Sequence, residues 1–158
     1  MMTESDKNLR NEFVISLVNR LGNERSSLLP ILQEIQKKFN YIDEHSQQAV
    51  ADLLNIHPVE VNSVISFYAF LYDTPRGRNT VRVCKNIVCE FHGSNGIAKT
   101  LREELGIDFD QTTKDGRVTL EYANCFGMCD KSPSILINDN IHEKVSKEDA
   151  LNLIRELK

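Results

Sequence analysis

The four cysteines of the chain fall into two close pairs, Cys84 with Cys89 (C-x4-C) and Cys125 with Cys129 (C-x3-C). Nothing else constrains the fold as strongly. Four thiolates in two pairs form a complete ligand set for one metal centre, with no cysteine left over. To act together, the pairs must be brought to one place although residues 90–124 separate them.

The spacing within each pair bears on which centre they suit. A 2Fe–2S core takes two thiolates on each iron. Loops of three or four residues place two sulfurs on one iron while backbone N–H groups stay close to the sulfides, and C-x4-C occurs in plant-type sites. Gly127, inside the second pair, lets backbone approach such a core. Structural zinc favours C-x2-C knuckles, and a 4Fe–4S cluster usually shows C-x2-C-x2-C; neither pattern occurs. A thiol redox site would want C-x-x-C or one activated cysteine. Spacing thus favours 2Fe–2S. A zinc-stabilised interaction module, a thiol oxidoreductase, a disulfide pair and unrelated buried thiols remain as alternatives.

Bulk properties narrow the setting. A net charge of −4 with no basic run argues against nucleic acid as a partner. The stretch MMTESDKNLR lacks the apolar region of a signal peptide. No segment approaches the roughly 18 apolar residues of a membrane span, so no direct membrane insertion is expected. A cytoplasmic location follows as the expectation. Thiols stay reduced there, which favours metal binding over disulfides.

The first half reads as a bundle of three to four helices. Leu9, Phe13, Leu17 and Leu21 predict an apolar stripe on a helix ending near Gly22. Ser26 or Ser27 offers a cap, and Pro30 suits the first turn of a second helix buried through Ile31, Leu32, Ile35 and Phe39. Asp43 predicts a third cap, with Ala49, Val50, Leu53 and Leu54 inward. Pro58 opens a short helix facing inward through Val61, Val64 and Ile65. Turn chemistry at residues 73–77 marks a boundary, giving a helical domain over 1–76 and a second domain over 77–158. That domain reads β-α-β-β-α. Its strands are Thr80–Val83, Val118–Tyr122 and Ile135–Ile137. One helix runs from a Ser94 cap to Gly106, and another opens at Ser146 with Asp149 as a capping box and Ala150, Leu151 and Ile154 buried. Each cysteine pair begins where a strand ends. Neighbouring strands would therefore bring the two loops together.

The ordered motifs resemble a known family: the thioredoxin-like 2Fe–2S ferredoxin subunit of respiratory complex I and its counterparts in NAD-linked, electron-bifurcating hydrogenases and formate dehydrogenases. The resemblance covers roughly residues 28–158. It rests on Leu29-Pro30-Ile31-Leu32-Gln33-Glu34-Ile35-Gln36, Phe67-Tyr68, Pro75-Arg76-Gly77, Cys84-x4-Cys89 with Gly93 beyond, Asp115-Gly116, Cys125-Phe126-Gly127-Met128-Cys129 and Pro133. Phe126 stands where a leucine is common. The resemblance implies an α+β fold, with a helical part before a thioredoxin-like domain. It implies that Cys84, Cys89, Cys125 and Cys129 together ligate one 2Fe–2S cluster. It also implies a partner, an iron–sulfur subunit that binds FMN and NAD(H), with further iron–sulfur subunits beyond. This chain itself has no G-x-G-x-x-G and no P-loop. It is expected to be a non-catalytic electron-transfer subunit of an NADH-dependent oxidoreductase.

Other residues have plainer readings. Phe67, Tyr68, Phe70 and Tyr72 suit packing between the two halves, or partner contact. His92 is a fifth ligand candidate made redundant by the cysteines. His45, His57 and His142 read as surface or capping residues. Lys85 and Lys131 either favour a reduced, more negative cluster or stay solvated. The charges of the last helix read as an exposed face.

Overall fold

A computed structural model describes residues 3–158, which divide into two compact units, one ending at Pro75 and the other spanning Arg76–Lys158. Helices fill the first unit; a mixed sheet with helices makes up the second, so the class is α+β as expected. Among the described residues no helix is long and apolar enough to cross a membrane.

The first unit holds α1 (Glu4–Leu21), α2 (Leu28–Phe39), α3 (Glu44–Leu54) and α4 (Pro58–Phe67). Local chemistry sets their ends. Thr3 and Asp6 form a capping box on α1, and Gly22, at φ 92°, stops it. Asp43 Oδ1 accepts from the Ser46 N–H at 2.6 Å. His57 Nδ1 accepts from the Val59 N–H at 3.2 Å, with Pro58 in the first position of α4. Ser27 precedes α2 but does not cap it with its side chain. Its hydroxyl donates instead to the Leu21 carbonyl at 2.8 Å, after a 3-10 turn over Arg25–Ser27.

The core of this unit centres on Val14, Leu17, Ile31, Leu32, Ile35, Ile42, Val50, Ala51, Val61 and Ile65. The buried face of α1 differs from the expected stripe: Arg10, Val14, Leu17 and Val18 turn inward, while Leu9 is exposed. A strict four-residue repeat drifts by about 40° per step around a 3.6-residue helix, so Leu9 sits well off the face that Leu17 defines. On α3, Val50 and Leu54 are buried as expected, whereas Leu53 is exposed. Arg10 can be buried because Asp43 Oδ2 lies 3.1 Å from its Nη1 and its guanidinium covers the rings of Phe39 and Tyr41, with centroids 4.3 and 4.8 Å away. Of the aromatic run, Phe67, Tyr68 and Phe70 are exposed and Tyr72 is buried.

The second unit contains β1 (Asn79–Cys84), α5 (Ile87–Phe91), α6 (Ser94–Leu105), β2 (Gln111–Thr112), β3 (Val118–Ala123), β4 (Ile135–Ile137), β5 (Asn140–His142) and α7 (Lys147–Glu156). The strands form one sheet in the order β2-β3-β1-β4-β5. Only the β1–β3 pair is parallel; β4 runs antiparallel to β1, and the edge strands run antiparallel to their neighbours. The parallel pair requires a crossover, which α5 and α6 supply. Val81, Val83, Val118, Leu120, Ile135 and Ile137 pack against Ile97, Leu101, Ala150 and Ile154 of α6 and α7.

The β-α-β-β-α order survives, with α5, β2 and β5 added to it. Ser94 is the first residue of α6, and Gly93, at φ 97°, takes the cap position in its place. The Ser146–Asp149 capping box on α7 forms as expected. In β1 every residue from Thr80 to Cys84 is buried. On the face away from the valines, Arg82 Nε lies 3.2 Å from Glu121 Oε2, and Glu121 Oε1 lies 3.2 Å from Arg76 Nη1. Gly77 runs against β3: its N–H donates to Thr119 Oγ1 at 2.7 Å, and a Cβ there would stand 2.9 Å from the Thr119 backbone nitrogen.

Candidate metal centre

Both cysteine loops leave the sheet at the end of the parallel strand pair. Cys84 is the last residue of β1 and stands opposite Ala123, the last of β3. Cys125 follows two residues later, so both loops leave the sheet at the same end. Backbone hydrogen bonds anchor Cys84 on both sides: its N–H donates to the Ser134 carbonyl at 3.4 Å, and the Lys85 N–H donates to the Ala123 carbonyl at 3.0 Å. Asn86 then caps α5, its Oδ1 accepting from the Val88 N–H at 3.5 Å. This short helix turns Cys89 inward, where it is as buried as Cys84.

The second loop is more open. Cys125 is exposed and Cys129 half-buried, with their sulfurs 3.2 Å apart. Gly127 holds φ 82° and donates its N–H to Cys125 Sγ at 3.3 Å. A side chain at that φ would be strained, so glycine suits the turn. A 3-10 turn over Cys129–Lys131 follows, and the Ser132 hydroxyl donates to the Cys129 carbonyl at 3.0 Å.

The thiols feel one another across both loops. Burial pushes the Cys84 thiol up to about 11, against help from the Asn86 N–H, and the neighbouring Cys89 and Cys125 raise it further. Cys125 is held below the usual thiol range, first by the hydrogen bond from Cys129 and then by the Gly127 N–H. Cys129 is raised because it gives that hydrogen bond, then by desolvation and by repulsion from Cys125 and Cys89. Among the described residues no three His, Cys, Asp or Glu side chains close on the point of a single metal ion. The loops present two thiol pairs, one buried and one open. A two-iron core, with two thiolates at each end, fits that donor set.

Other candidates fall outside this group. His92 is exposed, with Nδ1 2.7 Å from the Val88 carbonyl oxygen. His57 is the helix cap already described. Lys131 pairs with Glu143 at 3.0 Å at the surface, a contact that raises its pKa. Two neighbours of the thiols escaped sequence reading. Asn86 supplies an N–H to Cys84 and caps α5. Ser134, just before β4, accepts the Cys84 N–H through its carbonyl. The Asn that opens α5 is legible as a capping type, whereas nothing around Ser134 marks its position in advance.

A five-stranded mixed sheet whose parallel strands end at two loops, each carrying a cysteine pair, defines a class: small α+β proteins with paired thiols at one edge of the sheet. The chain belongs to the thioredoxin-like [2Fe-2S] ferredoxin family, whose model matches residues 14–158. The match begins earlier than the resemblance read from the motifs and takes in most of the helical unit. The cofactor of this family is one 2Fe–2S cluster. Relatives include an NADH-quinone oxidoreductase subunit of Escherichia coli K12, 34% identical over 85% of this chain and 81% of that one. The corresponding protein of Pseudomonas aeruginosa is 30% identical over 97% and 98%, and that of Buchnera aphidicola 31% identical over 89% and 82%. Among solved structures, a chain of an NAD+-reducing [NiFe]-hydrogenase shares the fold, with a TM-score of 0.70 and 22% identity over 79% of this chain and 22% of that one.

Proposed function

We propose that the chain is the electron-transfer subunit of an NAD(H)-linked multi-subunit oxidoreductase, with one 2Fe–2S cluster held by Cys84, Cys89, Cys125 and Cys129. One observation carries the reading: the two cysteine loops leave the sheet at the paired ends of β1 and β3, with the Cys125 and Cys129 sulfurs 3.2 Å apart, in a chain of this family. Residues 77–158 are the ferredoxin domain and 1–76 a helical domain that precedes it. When bound, the cluster supplies a site for one electron at a time.

The residues around the thiols do the rest. β1 and β3 fix where the loops start, and so fix the distance from the centre to anything docked on it. Cys84 and Cys89 are buried and keep water from one side. The N–H groups of Asn86 and Gly127 point at sulfur and stabilise negative charge there. Cys125 is exposed, which leaves this edge open to a donor or acceptor.

The partner is an iron–sulfur subunit that binds FMN and NAD(H), with further iron–sulfur subunits beyond it, all in the cytoplasm. What supports this is that the relatives are NADH-quinone oxidoreductase subunits and that the hydrogenase sharing the fold reduces NAD+. The chain would carry electrons and catalyse no hydride transfer alone. Mixing it anaerobically with such a flavin subunit and adding NADH tests this. The expected result is reduction of the chain's centre only when the partner is present. Reduction by NADH without the partner, or none with it, would overturn the proposal.

The close Cys125–Cys129 pair, with its low-lying Cys125, also has the form of a reactive dithiol. Insulin-disulfide reduction by the metal-free chain tests that second reading, and no activity is expected.

A further inference from the structure

We propose that the Ser134 hydroxyl donates a hydrogen bond to the Cys89 sulfur and thereby raises the reduction potential of the centre; this rests on Cys89 being a cluster ligand. Ser134 immediately precedes β4 and is 1% exposed. Its Oγ lies 3.9 Å from Cys89 Sγ, itself 1% exposed. A buried hydroxyl without a partner is costly, so its proton has reason to point at the sulfur. The backbone leaves Ser134 little freedom to move away. Its carbonyl accepts from the Cys84 N–H at 3.4 Å, and the next residue, Ile135, is paired with Val83 of β1. One residue therefore touches both members of the first cysteine pair, Cys84 through its main chain and Cys89 through its side chain.

The direction of the effect follows from charge. Adding one electron makes the ligand sulfurs more negative, and a donated O–H stabilises that state more than the oxidised one. Surroundings amplify the effect: Cys84, Cys89 and Ser134 are all buried, so little water competes for the sulfur. The open pair differs. Exposed Cys125 already takes the Gly127 N–H, and solvent screens what else reaches it. Ser134 is thus a positioning residue on the dry side of the centre, where one hydroxyl weighs most.

The experiment is potentiometry followed by EPR on the full chain, for wild type and Ser134→Ala, each with iron and sulfide analysed. The wild type must hold the cluster for the reading beneath this proposal to stand; a wild type without one defeats that reading and this inference with it. With both proteins loaded, Ser134→Ala is expected at a more negative midpoint. The expected change is roughly threefold to tenfold in the oxidised-to-reduced ratio at fixed potential, and tenfold corresponds to 59 mV for one electron. Ser134→Thr and Ser134→Val match each other in shape and differ in the hydroxyl, so they carry the comparison should the alanine variant fail to load. Threonine near wild type with valine more negative upholds the proposal. Equal midpoints for the hydroxyl-bearing and hydroxyl-free variants, with the cluster intact, overturn it.

Discussion

At the scale of single residues, the thiols divide into an anchored pair and an open pair, and chemistry should report that division. In the metal-free chain, Cys125 is exposed and its pKa lies below the usual thiol range, while burial pushes the Cys84 thiol up. Brief alkylation near neutral pH should therefore modify Cys125 first and Cys84 last, as read by peptide mass spectrometry; the reverse order would contradict the assigned geometry. Cys125→Ala should abolish the visible absorption of the loaded protein, and full retention of those bands would exclude Cys125 as a ligand. The cysteine pairs were legible in the sequence because thiols in close spacing mark their loops directly. Ser134 and Asn86 were not, because their roles depend on which strand or loop lies beside a sulfur. Arg10 was hidden for a related reason. A charge reads as surface until Asp43, Phe39 and Tyr41 are known to surround it.

At the scale of elements, caps and breakers made the long helices readable, as Asp43, Pro58, Gly106 and Ser146 all stand at real ends. The edge strands β2 and β5 were not readable. Two or three residues such as Gln111-Thr112 carry no period, and only pairing with β3 or β4 makes them strands. Asp43 joins two elements, capping α3 and pairing with buried Arg10 of α1. Asp43→Ala should cost about 3 kcal/mol in urea unfolding, since it removes a cap and strands a buried guanidinium; a loss under about 1 kcal/mol would mean that the pair contributes little. On α7, hydrogen bonds from Ser146 hold the Asp149 carboxyl below its ordinary 3.8. A depressed carboxyl stabilises the fold above its unfolded pKa, and that contribution fades as pH falls through the folded value. Wild type should thus exceed Asp149→Asn in stability at neutral pH, with the gap closing below 3.8. A gap independent of pH would contradict the capping role.

At the scale of the whole molecule, each unit has its own hydrophobic core, and the thiol site belongs to Arg76–Lys158 alone. Metal binding at such a site adds to folding free energy. Stripping the metal with a chelator should therefore weaken amide-exchange protection in β1, β3 and β4 while leaving α1–α4 nearly unchanged. Equal loss in both units would show that they fold as one. The β-α-β-β-α order was legible from hydrophobic runs. The sheet order was not, because pairing β1 with both β3 and β4 is decided by packing between distant segments. The central claim is that four sulfurs share one two-iron centre. Iron and sulfide analysis with EPR after dithionite, on the anaerobically purified chain, tests it most directly. Two irons and two sulfides per chain are expected, with a paramagnetic signal on reduction. One zinc per chain and a silent spectrum would contradict the claim.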